Sequence, residues 1–438
     1  MNNRTPVFCV CACALILYSS HAVAAGLAIM EQSVKGLGTA FAGGAAAADD
    51  ATTMFFNPAG LTHLSGSQAV AGMHLLFPSA KFRNEGSTHL TGQPLSGGEG
   101  GNAGSTMLVP NFYYSHRFND RLSAGLGIFS PFGLSTTYDS TWAGRYHAVK
   151  SELISLNLNP SLAYRVTDKL SFGAGINAQY LKTKLSNAID FGTIFAALGA
   201  VGVAPQGNDG SVTFKADSWS WGYNLGALYE FTDDTRAGVA YRSRIDHTLN
   251  GEAHFSGVPS PNPTGRFVDA GIKADVTLPD SLSVSIWHRF SKEWAAMADI
   301  TWTNWSTIDE LRIRFENPTE NDAVTTVHWK DTFRYSLGAV YMPGAWAFRA
   351  GVAYDESPVP DAAHRTPRIP DNNRIWLATG FGYKINDRIS INTGYAHLFV
   401  EDSETRKTAT GEDQFRGGLS GSYDCSVDVI SAEVTWGF

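Results

Sequence analysis

The chain has 438 residues, with 33 Lys and Arg against 41 Asp and Glu, 44 glycines, 12% aromatic residues and a mean hydropathy of −0.13. The acidic balance argues against a nucleic-acid partner. Beyond the first two dozen residues no apolar run reaches the roughly 20 needed for a spanning helix; the longest, GTIFAALGAVGVA at 192–204, falls short.

The chain opens with Arg4, an apolar VFCVCACALILY and a small-residue Ala22-Val23-Ala24 site before Ala25. This is the order of a secretory signal peptide, read here as residues 1–24, and its apolar stretch is short for a retained anchor. Cys9, Cys11 and Cys13 would leave with it, and Cys425 alone cannot form an intramolecular disulfide. An exported, aromatic-rich chain of this kind is either a soluble β protein or an outer-membrane barrel.

Residues 25–64 are small, apolar and irregular, ending in TMFFNPAGLTHL. Pro58 fixes its own φ and pushes Asn57 toward extended backbone, so regular structure should break there. An opening strand, SQAVAGMHLLF at 67–77, follows. From there one device recurs. SHRFNDRLSAGLGI, AYRVTDKLSFGAGI, LYEFTDDTRAGVAY, WHRFSKEWAAMADI, VYMPGAWAFRAGVAY and GYKINDRISINTGY each join two alternating strands through a tight polar or Gly/Pro turn. Long segments separate them, at 79–105, 131–149, 187–214, 249–272, 305–327, 356–372 and 400–426. Tight turns at one end and long loops at the other are the asymmetry of an outer-membrane barrel. Six hairpins, an opening strand and a closing strand predict an all-β, antiparallel transmembrane β-barrel of about fourteen strands over 65–438.

Alternation assigns the two faces. In SWSWGYNLGALY, Trp219, Trp221, Tyr223, Leu225 and Tyr229 should face lipid, and Ser218, Ser220, Gly222, Asn224 and Gly226 the lumen. The closing DVISAEVTWGF places Ile430, Val434, Trp436 and the terminal Phe438 on one apolar face. The same parity points Arg242, Arg244, Arg334 and Arg349 inward, with Asp355 beside them. Charge there must be paired, so these arginines brace the wall, meet a carboxylate ligand, or both. No HExxH, G-x-S-x-G or Cys/His pair supports catalysis, and the twelve histidines show no metal spacing. No metal or cofactor is expected.

Together GLAIMEQSVKGLGTAFAGGAAAADDATTMFFNPAGLT (26–62), WAGRYHAVKSELISLNLNPSLAYRV (142–166), WKDTFRYSLGAVY (329–341) and RAGVAYDESPVPDAAHRTPRIPD (349–371) resemble the FadL family of outer-membrane transporters for long-chain fatty acids and aromatic hydrocarbons. The resemblance implies that residues 25–64 form a hatch inside the barrel, with Asn57, Pro58 and Ala59 as its motif and Phe55 and Phe56 lining an apolar pocket. It implies capture of a hydrophobic ligand by a loop groove, here Phe191, Ile194, Phe195 and Leu198 at helical spacing. It also implies lateral exit at a kink of the third strand, here Ser130, Pro131, Phe132 and Gly133, where Pro131 cannot donate to the ladder. The implied partners are the ligand, outer-membrane lipid, lipopolysaccharide, and the barrel-assembly machinery acting on the Phe438 strand. A general porin and an outer-membrane hydrolase are the competing readings.

Overall fold

The computed structural model describes residues 26–438, so the signal peptide, its cleavage site and Cys9, Cys11 and Cys13 lie outside the described residues. Fourteen antiparallel staves close on themselves. In chain order they are Ser67–Asn84, Met107–Arg117, Leu122–Phe129 continued by Gly133–Thr137, Lys150–Arg165, Leu170–Asp190, Asp209–Thr232, and Thr235–Arg242 continued by Ile245–Ser256. Then follow Ala270–Leu278 continued by Ser281–Arg289, Trp294–Thr303, Thr332–Tyr341, Trp346–Asp355, Arg374–Lys384, Ile389–Val400 and Ser420–Gly437. The last stave pairs with the first, from Gln68↔Gly437 to Asn84↔Gly421. Closure pairs the backbone groups that lipid could not satisfy.

The predicted strands are present, but several run further than the alternation suggested. The first continues to Asn84, and the pair Leu170–Asp190 and Asp209–Thr232 stays in register through Asp190↔Asp209. A bilayer needs only about 9–11 residues per strand, so the sheet projects well past it. The predicted loops are partly sheet for the same reason: Glu310–Phe315 and Ala323–Thr326 form a hairpin, and Ser403–Arg406 pairs with the final stave. These pieces are only four to six residues long; Leu311, Ile313 and Phe315 pack against an apolar cluster, and Ser403 and Thr405 are buried.

The lipid face is as expected. Trp219, Trp221, Tyr223, Leu225 and Tyr229 are exposed, as are Ile430, Val434, Trp436 and Phe438, while Asn224 is buried in the lumen. One face assignment is corrected. Arg244 is exposed rather than inward. Its stave breaks at Ser243 and Arg244 between two paired segments, and the odd spacing from Arg242 to the buried Ile245 reverses the parity.

Candidate functional site

Residues 26–64 fill the lumen as short helices, Val34–Gly38, Gly44–Ala47, Thr53–Phe56 and the 3-10 turn Pro58–His63. Ser33 caps the first, its Oγ accepting from the Gly36 amide. Asn57 sits extended (φ −158°), as the following proline requires, and Pro58 starts the 3-10 turn where an amide hydrogen is not needed. Asn57 Oδ1 accepts from Ala59 N (3.0 Å). Its Nδ2 donates to the carbonyls of Ala45 in the hatch (2.6 Å) and Ala227 in the wall (3.0 Å). The Asn-Pro-Ala motif is therefore a buried clasp between plug and barrel. Wall glycines make room for it: a Cβ on Gly226 would lie 1.9 Å from Asn57 Oδ1, and one on Gly238 1.8 Å from the Ala45 carbonyl.

Further polar contacts hold the plug. Arg236 lies over Trp287 and donates to the carbonyls of Ala46 (2.6 Å) and Ala47 at the end of a hatch helix. Lys35 and Asp50 form a buried ion pair at 2.8 Å within the hatch, and Glu433 accepts from Val34 N at 3.2 Å. Arg236 was legible, because it shares the inward parity of Arg242 in RAGVAYR.

The other end of the hatch meets the third stave. Between Phe129↔Asn157 and Gly133↔Ile154, the three residues 130–132 oppose only the two residues 155–156, a bulge of one residue. The second stave pairs with the third only from Phe112↔Ile128 downward, so residues 107–111 have no strand partner on that side among the described residues. The hatch covers the breach: Ile29 N donates to Pro131 O (2.9 Å), Gly133 N to Leu27 O (2.8 Å) and Gln32 Nε2 to Ser130 O (2.7 Å).

Between breach and clasp lies a cavity of about 100 Å³. Ile29, Met30, Phe55, Phe56 and Pro58 line it from the hatch, Pro131 and Phe132 from the kink, and Asn224, Arg242, Ser281 and Thr301 from the wall. Phe55 meets Phe56 and Phe129 edge to face, at 4.9 and 5.2 Å. The Arg242 guanidinium lies 4.5 Å over Phe55 and donates to Phe55 O (2.8 Å) and Asn177 Oδ1 (2.9 Å). Among the described residues no carboxylate pairs with it.

The remaining arginines stand elsewhere. Arg334 faces Asp355, which faces Arg374, in one cross-strand row; Arg374 also contacts Asp371. Arg334 donates to Ala40 O at 2.9 Å. Arg349 underlies the helix Val34–Gly38 and donates to Asn392 Oδ1 (3.2 Å). Hatch residue Glu31 is buried near the Arg334 row, and burial pushes its carboxyl up to about 7 despite Arg334 and Arg374. Outside the bilayer, Phe191–Ala197 forms a helix capped by Asp190. Phe191 and Phe195 are buried in one apolar cluster with Leu27, Phe132, Trp305 and Trp329, and Ile194 packs against it. Leu198 departs from the expected stripe: the helix ends before it, and it is 58% exposed.

Fold and site together define a plugged outer-membrane β-barrel whose wall is interrupted beside an apolar cavity. The family model described as "Outer membrane protein transport protein (OMPP1/FadL/TodX)" matches residues 15–438, and the chain belongs to that family. It is 32% identical to the long-chain fatty acid transport protein of Escherichia coli K12, over 88% of this chain and 90% of that one. It is 31% identical to outer membrane protein P1 of Haemophilus influenzae, over 88% of each. The crystal structure of a Pseudomonas aeruginosa FadL homologue superposes with a TM-score of 0.86 at 26% identity, covering 94% of this chain and all of that one.

Proposed function

We propose that this protein carries long-chain fatty acids passively across the outer membrane, from the loop cluster around Phe191 and Phe195 to the hatch cavity and out through the breach at Ser130–Gly133. The observation that carries this reading is the cavity's chemistry. Phenylalanines and aliphatic side chains supply apolar burial, worth about 25 cal/mol per Å², and the Arg242 guanidinium lines the same cavity with no carboxylate partner among the described residues. Ligand pockets typically enclose roughly 300–1,000 Å³, so a cavity of about 100 Å³ must grow before an acyl chain enters. The hatch segment Leu27–Gln32, which covers the breach, is the part whose movement enlarges it. The arginine row at Arg334 braces the wall in this reading.

Oleate binding to the purified protein in detergent tests it, with Arg242→Gln as the discriminating variant. Weakened oleate binding supports the carboxylate assignment. The phenylalanine lining also favours a second reading, a channel for aromatic hydrocarbons; oleate binding indifferent to Arg242 together with saturable toluene binding would select it. A general porin would pass sugars in liposome swelling, and a filled lumen should prevent that. The exposed terminal aromatics Trp436 and Phe438 (5.2 Å apart) suit recognition by the barrel-assembly machinery, and the polar sheet above the bilayer suits lipopolysaccharide.

A further inference from the structure

Two histidines with no helpful spacing in sequence meet at the outer mouth. His328 follows the strand Ala323–Thr326, and His364 lies in the loop between Trp346–Asp355 and Arg374–Lys384. Their ring centroids are 4.9 Å apart and their planes are inclined at 53°, so the rings are tilted rather than stacked. Each ring is oriented by a carboxylate on Nδ1. His328 Nδ1 contacts Asp309 Oδ1, and His364 Nδ1 contacts Asp361 Oδ1 at 2.8 Å and Oδ2 at 3.0 Å. Neither Nε2 has a hydrogen-bond partner among the described residues, and the side chains are 52% and 30% exposed. His328 also holds a left-handed backbone (φ 42°), a conformation that costs free energy and persists only where surroundings impose it.

A carboxylate on one ring nitrogen leaves the other basic and correctly oriented for a metal, which is how ligating histidines are usually supported. Two imidazoles bound tetrahedrally at about 2.0–2.1 Å place their ring centroids about 5 Å apart. We propose that His328 and His364 bind a borderline divalent transition-metal ion, Zn²⁺ in the first instance, through their Nε2 atoms, with water completing the shell. Asp309 and Asp361 are positioning residues that fix the tautomers. The ion would tie the loop 304–331 to the neighbouring loop 356–373 on the rim of the barrel mouth. This inference stands apart from the transport reading, since it needs only the loops.

Titration of the full-length protein in detergent with Zn²⁺, followed by calorimetry, tests it. One ion per chain is expected. His328→Ala and His364→Ala should each weaken binding at least about tenfold, and Asp309→Asn or Asp361→Asn about tenfold. His254→Ala, which removes another exposed histidine on a carboxylate (Asp269), should leave the affinity unchanged. Ca²⁺, which prefers oxygen ligands, should not compete. Cu²⁺ bound to the unmodified protein should show electron paramagnetic resonance hyperfine coupling to imidazole nitrogens. Unchanged Zn²⁺ affinity in the double His→Ala variant, displacement by Ca²⁺, or no binding to the unmodified chain would each overturn the proposal.

Discussion

The two ends of the hatch are held by different balances of interaction. At the Asn57 end, buried hydrogen bonds and an arginine clamp fix the backbone against wall glycines so closely that no Cβ fits. At the Leu27–Gln32 end, two backbone hydrogen bonds, the Gln32 side chain and the Tyr113 hydroxyl (to Gln32 O, 3.1 Å) meet a bulged stave, and aliphatic and aromatic contacts fill the space between them. Directional bonds between buried groups are costly to leave unmade, whereas apolar contact can be exchanged for contact with an apolar ligand at little cost. The comparison makes one end an anchor and the other a flap.

The largest effect should come from closing the flap end. Deleting Pro131 removes the extra residue of the bulge and lets the third stave run in register with the fourth. Fatty acid uptake by cells should fall at least tenfold, on the order of 1.4 kcal/mol or more of barrier, while the barrel keeps its heat-resistant migration on gels. Undiminished uptake through a regular wall would refute lateral exit. Next, Arg242→Gln should weaken oleate binding roughly 10–100-fold, as expected for a lost charge-assisted hydrogen bond of about 1.5–3 kcal/mol, with little change for toluene.

At the anchor end, Asn57→Ala removes three hydrogen bonds, two of them fully buried, and takes the Asn57 donor from the Ala45 and Ala227 carbonyls. Hatch docking should lose about 2 kcal/mol, read as faster hydrogen exchange in residues 42–64 with the barrel strands unaffected. Equal protection in the variant would mean that packing, not the clasp, holds this end. The smallest effect is a pH slope. Glu31 keeps its proton to about 7 in the docked hatch, against an ordinary 4.5. Between those values the docked state binds more protons than the released one, so docking weakens as pH rises from 4.5 to 7 and levels off above. Glu31→Gln should flatten that slope in hydrogen exchange of residues 27–32.

Much of this was legible in the chain. Period-two alternation with tight turns predicts the staves, because a lipid face and a lumen face impose it, and Asn57-Pro58 announces a break. The sites were legible in part. Parity placed Arg242 inward but failed for Arg244, since the break at Ser243 leaves no mark in a short polar run. The spacing of Phe191, Ile194 and Phe195 announced a packed face, yet could not show that the helix stops before Leu198.

What the amino-acid order by itself determined is therefore the cylinder: its strand number, its two faces and its irregular front segment all follow from local chemistry repeated along the chain. Only the tertiary structure decided which arginine lines the cavity, which glycines admit the hatch, and that His328 and His364 meet. Those are contacts between residues far apart in the chain, and they depend on stave register and on a one-residue bulge, which local patterning does not encode.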